Sequence, residues 1–149
     1  MLDCIEHDRD LVIEKSREMG ASWMGLLVIH WLWMFQEWQK FLVISRSAEA
    51  VDSPGDPDSL FWKLDFIHGY LPRWLINPRL GKKGRAKMRF RNMLTRSTIT
   101  GQASTGKAGV GGRATAMFID EFSQITEDAE VLQRTSDTTG CRIFNGTHL

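Results

Sequence analysis

"LVIEKSREMGASW", residues 11–23, is the stretch that decides the fold. A short apolar run rich in β-formers, Asp10–Glu14, reads as a buried strand, and a glycine turn carries it into a long apolar helix. A phosphate-binding loop of the form G-x-x-x-x-G-K-[ST] has this same layout. Laid over Lys15, Ser16, Arg17, Glu18, Met19, Gly20, Ala21 and Ser22, the pattern finds its second glycine at Gly20 and its hydroxyl at Ser22. The first glycine slot holds Lys15, and the lysine slot holds Ala21. A phosphate site needs backbone N–H groups, a helix N-terminus and a cation. Gly20 lets the backbone come close, the helix from Ala21 supplies the positive dipole end, and Ser22 falls where a Mg²⁺-bound hydroxyl belongs. The missing cation can come from Lys15 or Arg17, whose side chains are long enough to fold back. The alternative is an ordinary strand-to-helix turn.

Outward from this stretch, strands and helices alternate. Ala21–Gln39 reads as one helix, apolar on nearly every side and so buried on more than one face. "FLVIS", Phe41–Ser45, is a second buried strand, and "SPGDPDS", residues 53–59, is a loop. Asp58 or Ser59 can cap a helix over about Leu60–Leu71, which Pro72 closes. "KMRFRNML" from Lys87 alternates apolar and basic residues as a half-exposed strand does, and "STITGQAS" from Ser97 can pair with it. "GKAGVGGR", residues 106–113, reads as a mobile loop. "ATAMFID", Ala114–Asp120, is a third buried strand, a helix follows around Asp128–Thr135, and "CRIFNGTH" closes with a fourth. The pattern is α/β, with a mainly parallel central sheet flanked by helices.

Composition narrows the classes. With 149 residues, 42% hydrophobic and 25% charged, the chain suits one packed domain and excludes a disordered one. Cys4 and Cys141 form neither a disulfide framework nor a metal spacing, which fits a reduced cytosolic chain. No signal peptide is evident, and Trp23–Phe35 is shorter than the roughly 20 apolar residues a membrane span needs. His7, His30, His68 and His148 share no metal spacing, and His30 reads as a core histidine. The six tryptophans mostly follow helical spacing with other apolar residues and read as core rather than base-stacking groups. Net charge is only +1, yet no acidic residue lies between Ile76 and Ile119. Arg79, Lys82, Lys83, Arg85, Lys87, Arg89, Arg91, Arg96, Lys107 and Arg113 share that window. It can contact DNA phosphates or line a neighbouring subunit's site. The alternative is a solvated hairpin face.

Ligands of open α/β sheets bind at the carboxyl ends of the strands. The third strand ends in Asp120-Glu121 and the fourth in Asn145-Gly146-Thr147. A strand-end aspartate can hold the water shell of Mg²⁺, and the adjacent glutamate can deprotonate an attacking water. The alternative for Asp120 is a helix cap.

In order along the chain, "EKSREMGAS", "VISRSAEAVDSPGDPDSLFWKL", "TITGQASTG…GGRATAMFIDEFSQI" and "FNGTH" resemble the ATPase domain of the large terminase subunit of tailed bacteriophages. The resemblance runs from Leu11 to His148 and includes that family's displaced P-loop lysine. It implies a P-loop NTPase of the ASCE type, with an added strand between the Walker A and Walker B motifs, as "FLVIS" would supply. It implies ATP and Mg²⁺ as cofactors. Residues 15–22 would be the phosphate loop, with the displaced cation at Lys15, helped by Arg17, and with Ser22 and Asp120 at the metal. Glu121 would be the catalytic base. Asn145, Gly146 and Thr147 would form the motif coupling nucleotide state to DNA movement. Arg113, with Lys107 as fallback, is the expected arginine acting in trans, and Arg17 joins the catalytic set. Glu18 and Met19 carry no assigned chemistry. Implied partners are viral double-stranded DNA, the portal protein, the small terminase subunit and copies of the subunit in a ring. The implied location is the bacterial host cytoplasm, with transient docking on the procapsid portal and no membrane. Two departures from the family are an adenine-contacting segment that is missing or very short and a missing nuclease domain, so residues 1–149 read as one partial ATPase domain. No acidic cluster is left for two-metal nuclease chemistry once Asp120 and Glu121 serve ATP. Other readings are a nucleotide- or DNA-binding remnant without turnover, or another P-loop ATPase such as a helicase-like domain.

Overall fold

Apolar runs that alternate inward-facing residues between two sides make a sheet with two buried faces. In the computed structural model, which describes residues 1–16, 19–76, 84–104, 112–125, 133 and 135–147, they do so. The elements are α1 (Leu2–Glu6), β1 (Leu11–Lys15), α2 (Ala21–Phe35), β2 (Lys40–Ser45), α3 (Ala48–Val51), α4 (Leu60–Gly69), β3 (Arg85–Ala86), β4 (Arg89–Arg91), β5 (Thr98–Ala103), β6 (Ala116–Ile119), a 3-10 turn (Phe122–Gln124) and β7 (Arg142–Thr147). Among the described residues the strands form one seven-stranded sheet in the order β1-β7-β6-β2-β5-β4-β3. The five strands from β1 to β5 in that order run parallel, and β4 and β3 add an antiparallel edge. The α/β reading of the sequence therefore holds. In the chain β2 lies between β1 and β6, but in the sheet the strand separating them is β7.

One face is covered by α2 and α4. Phe41 and Val43 of β2, Phe118 of β6 and Ile143 of β7 meet Leu26, Ile29 and Trp33 of α2 and Phe61 and Leu64 of α4. Gly25 brings α2 down on β6, because a Cβ at that position would run into the Phe118 ring. The alternate residues Leu42, Ile44, Met117, Ile119 and Phe144 form a second cluster with Phe122 and Ile125 on the opposite face. Ser59 caps α4, its hydroxyl accepting from the Trp62 N–H at 3.4 Å.

Three expectations change. The α2 helix ends at Phe35, and Trp38 takes a left-handed φ of 59°, a turn that no glycine announces. It is buried on one face only, since Met24, Leu27, Trp31 and Phe35 are exposed. Of the tryptophans, Trp33 is core, but Trp31 on the outer side of α2 and Trp38 and Trp74 in turns are exposed. The expected helix at 128–135 and the loop at 106–111 fall largely or wholly outside the described residues. Among the described residues no helix is long and apolar enough to cross a membrane.

Candidate functional site

Parallel strands share a direction, so their carboxyl ends meet on one edge of the sheet. The register pairs Lys15 with Thr147 and Ile44 with Ile119, which sets Asp120-Glu121, Arg46 and Asn145 side by side. Asp120 remains tied to β2, its N–H donating to the Ile44 carbonyl at 2.8 Å. Gly20 precedes α2 with φ 69°, a conformation cheap for glycine, and turns the helix N-terminus towards the same edge.

The centre is a three-residue hydrogen-bonded cluster. Ser22 Oγ donates to Asp120 Oδ1 at 2.9 Å. Asn145 Nδ2 donates to Asp120 Oδ1 at 2.6 Å and to Ser22 Oγ at 3.1 Å. Asp120 is 5% exposed and Asn145 fully buried. Among the described residues Asn145 Oδ1 has no hydrogen-bond partner. Turning the amide over would set two oxygens against each other, so the network fixes Nδ2 towards the carboxylate and leaves Oδ1 as the orphan. A buried polar atom without a partner costs about 1–3 kcal/mol. The other such atom among the described residues is Trp33 Nε1, in the core. The helix-cap alternative for Asp120 fails, because its carboxylate turns to Ser22 and Asn145.

Glu121 goes the other way. Its φ of 52° puts it in the left-handed region, so consecutive carboxylates diverge instead of repelling each other. Its Oε2 lies 3.3 Å from Arg46 Nε, and Arg46 Nη1 donates to Gln124 Oε1 at 2.7 Å. A cleft of about 740 Å³ opens above, lined by Lys15, Gly20, Ala21, Ser22, Glu121 and Thr147 among others. A second lobe of about 470 Å³ shares Lys15, Ser22, Arg46, Lys63 and Glu121 and extends over Asp120. Such volumes suit a small ligand.

Of the residues the sequence nominated, the fold brings together Lys15, Gly20, Ala21, Ser22, Asp120, Glu121, Asn145, Gly146 and Thr147. Ser16 and Met19 are exposed in the loop. Arg17, Glu18 and Lys107 lie outside the described residues. Arg113 stands apart: it lines a small cavity with Lys40 and Thr98, at the amino ends of β2 and β5, and does not reach this cleft within the chain. The basic window is also less free than its sequence suggests. Arg85 is clamped by Asp52 and Asp65, acids from outside the window.

Sequence reasoning missed Arg46, Gln124, Lys63 and Trp23, all of which line the cleft. A signal existed for Arg46. It follows the buried run of β2 as Asp120 follows that of β6, and neighbouring parallel strands deliver the residues after them to one edge.

Ser22 and Asp120 fit Mg²⁺, which takes one or two protein oxygens and completes its shell with water and phosphate. Among the described residues no group of three or more His, Cys, Asp or Glu is set to hold a metal by itself. No protein-family model matches the chain, and no curated protein matches it either.

Proposed function

We propose that this cleft binds Mg²⁺-ATP and hydrolyses it, and that the chain is the ATPase domain of a phage large terminase subunit. The observation that carries the proposal is the Ser22–Asp120–Asn145 cluster. Residues 98 and 123 positions from Ser22 converge on its hydroxyl, at a helix N-terminus, with one buried acceptor left unsatisfied. The strand order supports an ASCE-type P-loop fold. The strand bearing the loop, β1, and the strand bearing the carboxylates, β6, stand one strand apart, and the polar tip of that strand, β7, faces both.

Each residue then has a task. The amides at the start of α2 and the Lys15 ammonium hold the phosphates, with Arg17 as the second loop cation. Ser22 and Asp120 would hold Mg²⁺, which neutralises phosphate charge when bound. Asn145 fixes the Asp120 carboxylate and, with Gly146 and Thr147, borders the nucleotide as the coupling strand. Glu121 takes the proton of the attacking water. The water oxygen bonds to the terminal phosphorus, and the bond to the bridging oxygen breaks and leaves with ADP. Arg113, remote from its own cleft, serves the site of the next subunit in a ring. Viral double-stranded DNA is the substrate moved, with the portal protein and small subunit as partners at the procapsid, in the host cytoplasm.

The test is Mg²⁺-dependent phosphate release from ATP by the purified chain and its Glu121→Gln variant. The expected result is turnover lowered about 10²-fold or more in the variant, with Mg²⁺-ATP affinity nearly unchanged. A wild-type chain that neither binds nor hydrolyses ATP, or a variant that loses both equally, contradicts the proposal.

A further inference from the structure

A helix without charge belongs inside a protein, and α2 is only half inside. From Ala21 to Phe35 it has no Asp, Glu, Lys or Arg. Leu26, Ile29 and Trp33 form its inner side, packed on the sheet. Met24, Leu27, Trp31 and Phe35 line its outer side, and all four are exposed. Their steps of three, four and four residues make one stripe along the helix, the spacing of a helix–helix seam.

Helix α4 lies beside α2 and runs the same way. Trp23 meets Trp62 and Phe66 near the start of both helices, and His30 meets His68 further along. Trp62, Phe66 and Tyr70 stack in turn, with centroids 5.3 and 4.3 Å apart, as a second apolar row. Six large apolar side chains, from 40% exposed at Phe66 to 77% at Tyr70, therefore share the outer surface of the helical layer. At roughly 200 Å² for a whole side chain of this size, they present about 600 Å² to water. An apolar patch of that extent, at the top of the roughly 300–600 Å² range for monomers, marks an interaction site.

We infer that this surface is a two-fold interface between two copies of the chain, with the α2 stripe packed against the α2 stripe of the second copy. Two such faces together remove about 1,200 Å² from water, where specific protein–protein interfaces begin. The stripe carries no charge, so it meets its own copy without repulsion, and it offers nothing to a partner selected by charge. Its Met, Trp and Phe side chains are types enriched at the centres of interfaces. A two-fold contact uses the same patch twice and closes at two copies. It is thereby distinct from a ring contact made through Arg113, which lies at the amino ends of the strands.

Sedimentation equilibrium of wild type, Trp31→Glu, Leu27→Lys and Val12→Glu tests this at about 1–100 μM, the range in which an interface at the small end of the scale associates. Wild type should approach twice the 17.0 kDa of one chain at the upper concentrations. Trp31→Glu and Leu27→Lys each set a charge in the seam and should stay single chains. Both positions are exposed, so both variants should keep the wild-type denaturation midpoint. Val12 is also exposed, but it lies on the opposite sheet face with Phe122 and Phe144, so Val12→Glu should associate as wild type does. A wild-type chain that keeps the single mass throughout overturns the inference and leaves the face to a partner of another kind. An assembly larger than two, or stripe variants that associate as tightly as wild type, overturns it as well.

Discussion

Arg85 reaches both carboxylate oxygens of buried Asp52, at 2.7 and 3.0 Å, and both of Asp65 at 3.1 Å. Its guanidinium also lies 4.8 Å from the centroid of the Phe61 ring and 5.3 Å from that of Phe90. Arg46, at the other end of β2's neighbourhood, meets one oxygen of Glu121 at 3.3 Å and lies mostly in solvent. The first arginine is spent on the fold. It ties α3, α4 and the β3–β4 edge together, and it holds the Asp52 carboxyl below the ordinary carboxylate range, against the opposing effect of burial. The second is held to its acid by one longer contact at an exposed position. The same contrast divides the polar interior. Asn92 uses both ends of its amide, bonding the Trp33 carbonyl and the N–H groups of Leu94 and Thr95, whereas Asn145 Oδ1 has no partner among the described residues. Of the two buried side-chain polar atoms without a partner among the described residues, Asn145 Oδ1 belongs to the cluster at the cleft and Trp33 Nε1 to the core.

The sharpest way to break this comparison is to delete each guanidinium. Arg85→Ala strands a buried carboxylate and should cost about 3 kcal/mol of unfolding free energy, towards the lower end for a broken buried pair because Arg85 is partly exposed. Arg46→Ala should cost under about 0.5 kcal/mol, the scale of an exposed pair. Urea denaturation of both variants checks this, and similar losses at the two sites would erase the distinction.

A smaller effect comes from His30, buried in α2 with its Nε2 3.1 Å from His68 Nδ1 on α4. Burial, and secondarily His68, push its pKa down from 6.5 to about 3. The folded pKa is depressed, so its contribution to stability is complete above pH 6.5 and is lost as pH falls towards 3. At pH 5 the loss should be about 2 kcal/mol. His68, also lowered by burial, adds in the same direction. Denaturation midpoints at pH 7 and pH 5 should separate in wild type and draw together in His30→Gln. A variant with the full wild-type pH slope would place the titration elsewhere.

The strands were legible in the sequence because a buried parallel strand leaves a plain apolar run, and β1, β2, β6 and β7 each appear within a residue or two of the expected place. Ser59 and Pro72 bracketed α4 for similarly local reasons. What stayed illegible depends on partners. An apolar run such as 23–35 has no polar face to announce which side meets the sheet, so the exposed stripe on α2 could not be read. The loop candidates were found by spacing, but the Ser22–Asp120–Asn145 contact needs the order in which β1, β7 and β6 pair. Arg46 was passed over because a lone arginine after a strand has no meaning until its neighbour strand is known. Arg113 shows the reverse: glycines around it suggested function, while the fold puts it at the far end of the sheet from its own cleft.

The central claim is that the unsaturated cluster at the carboxyl edge is a Mg²⁺-nucleotide site, and calorimetric titration of Mg²⁺-ATP into the wild-type chain and Asp120→Asn tests it most directly. Asparagine keeps the shape of Asp120 and can still accept from Ser22 and Asn145, so the fold should survive, as near-unchanged denaturation would verify. The account predicts saturable binding to wild type that requires Mg²⁺ and that weakens tenfold or more, roughly the worth of a charge-assisted contact, in Asp120→Asn. Binding of equal strength in both proteins, or indifferent to Mg²⁺, would contradict it.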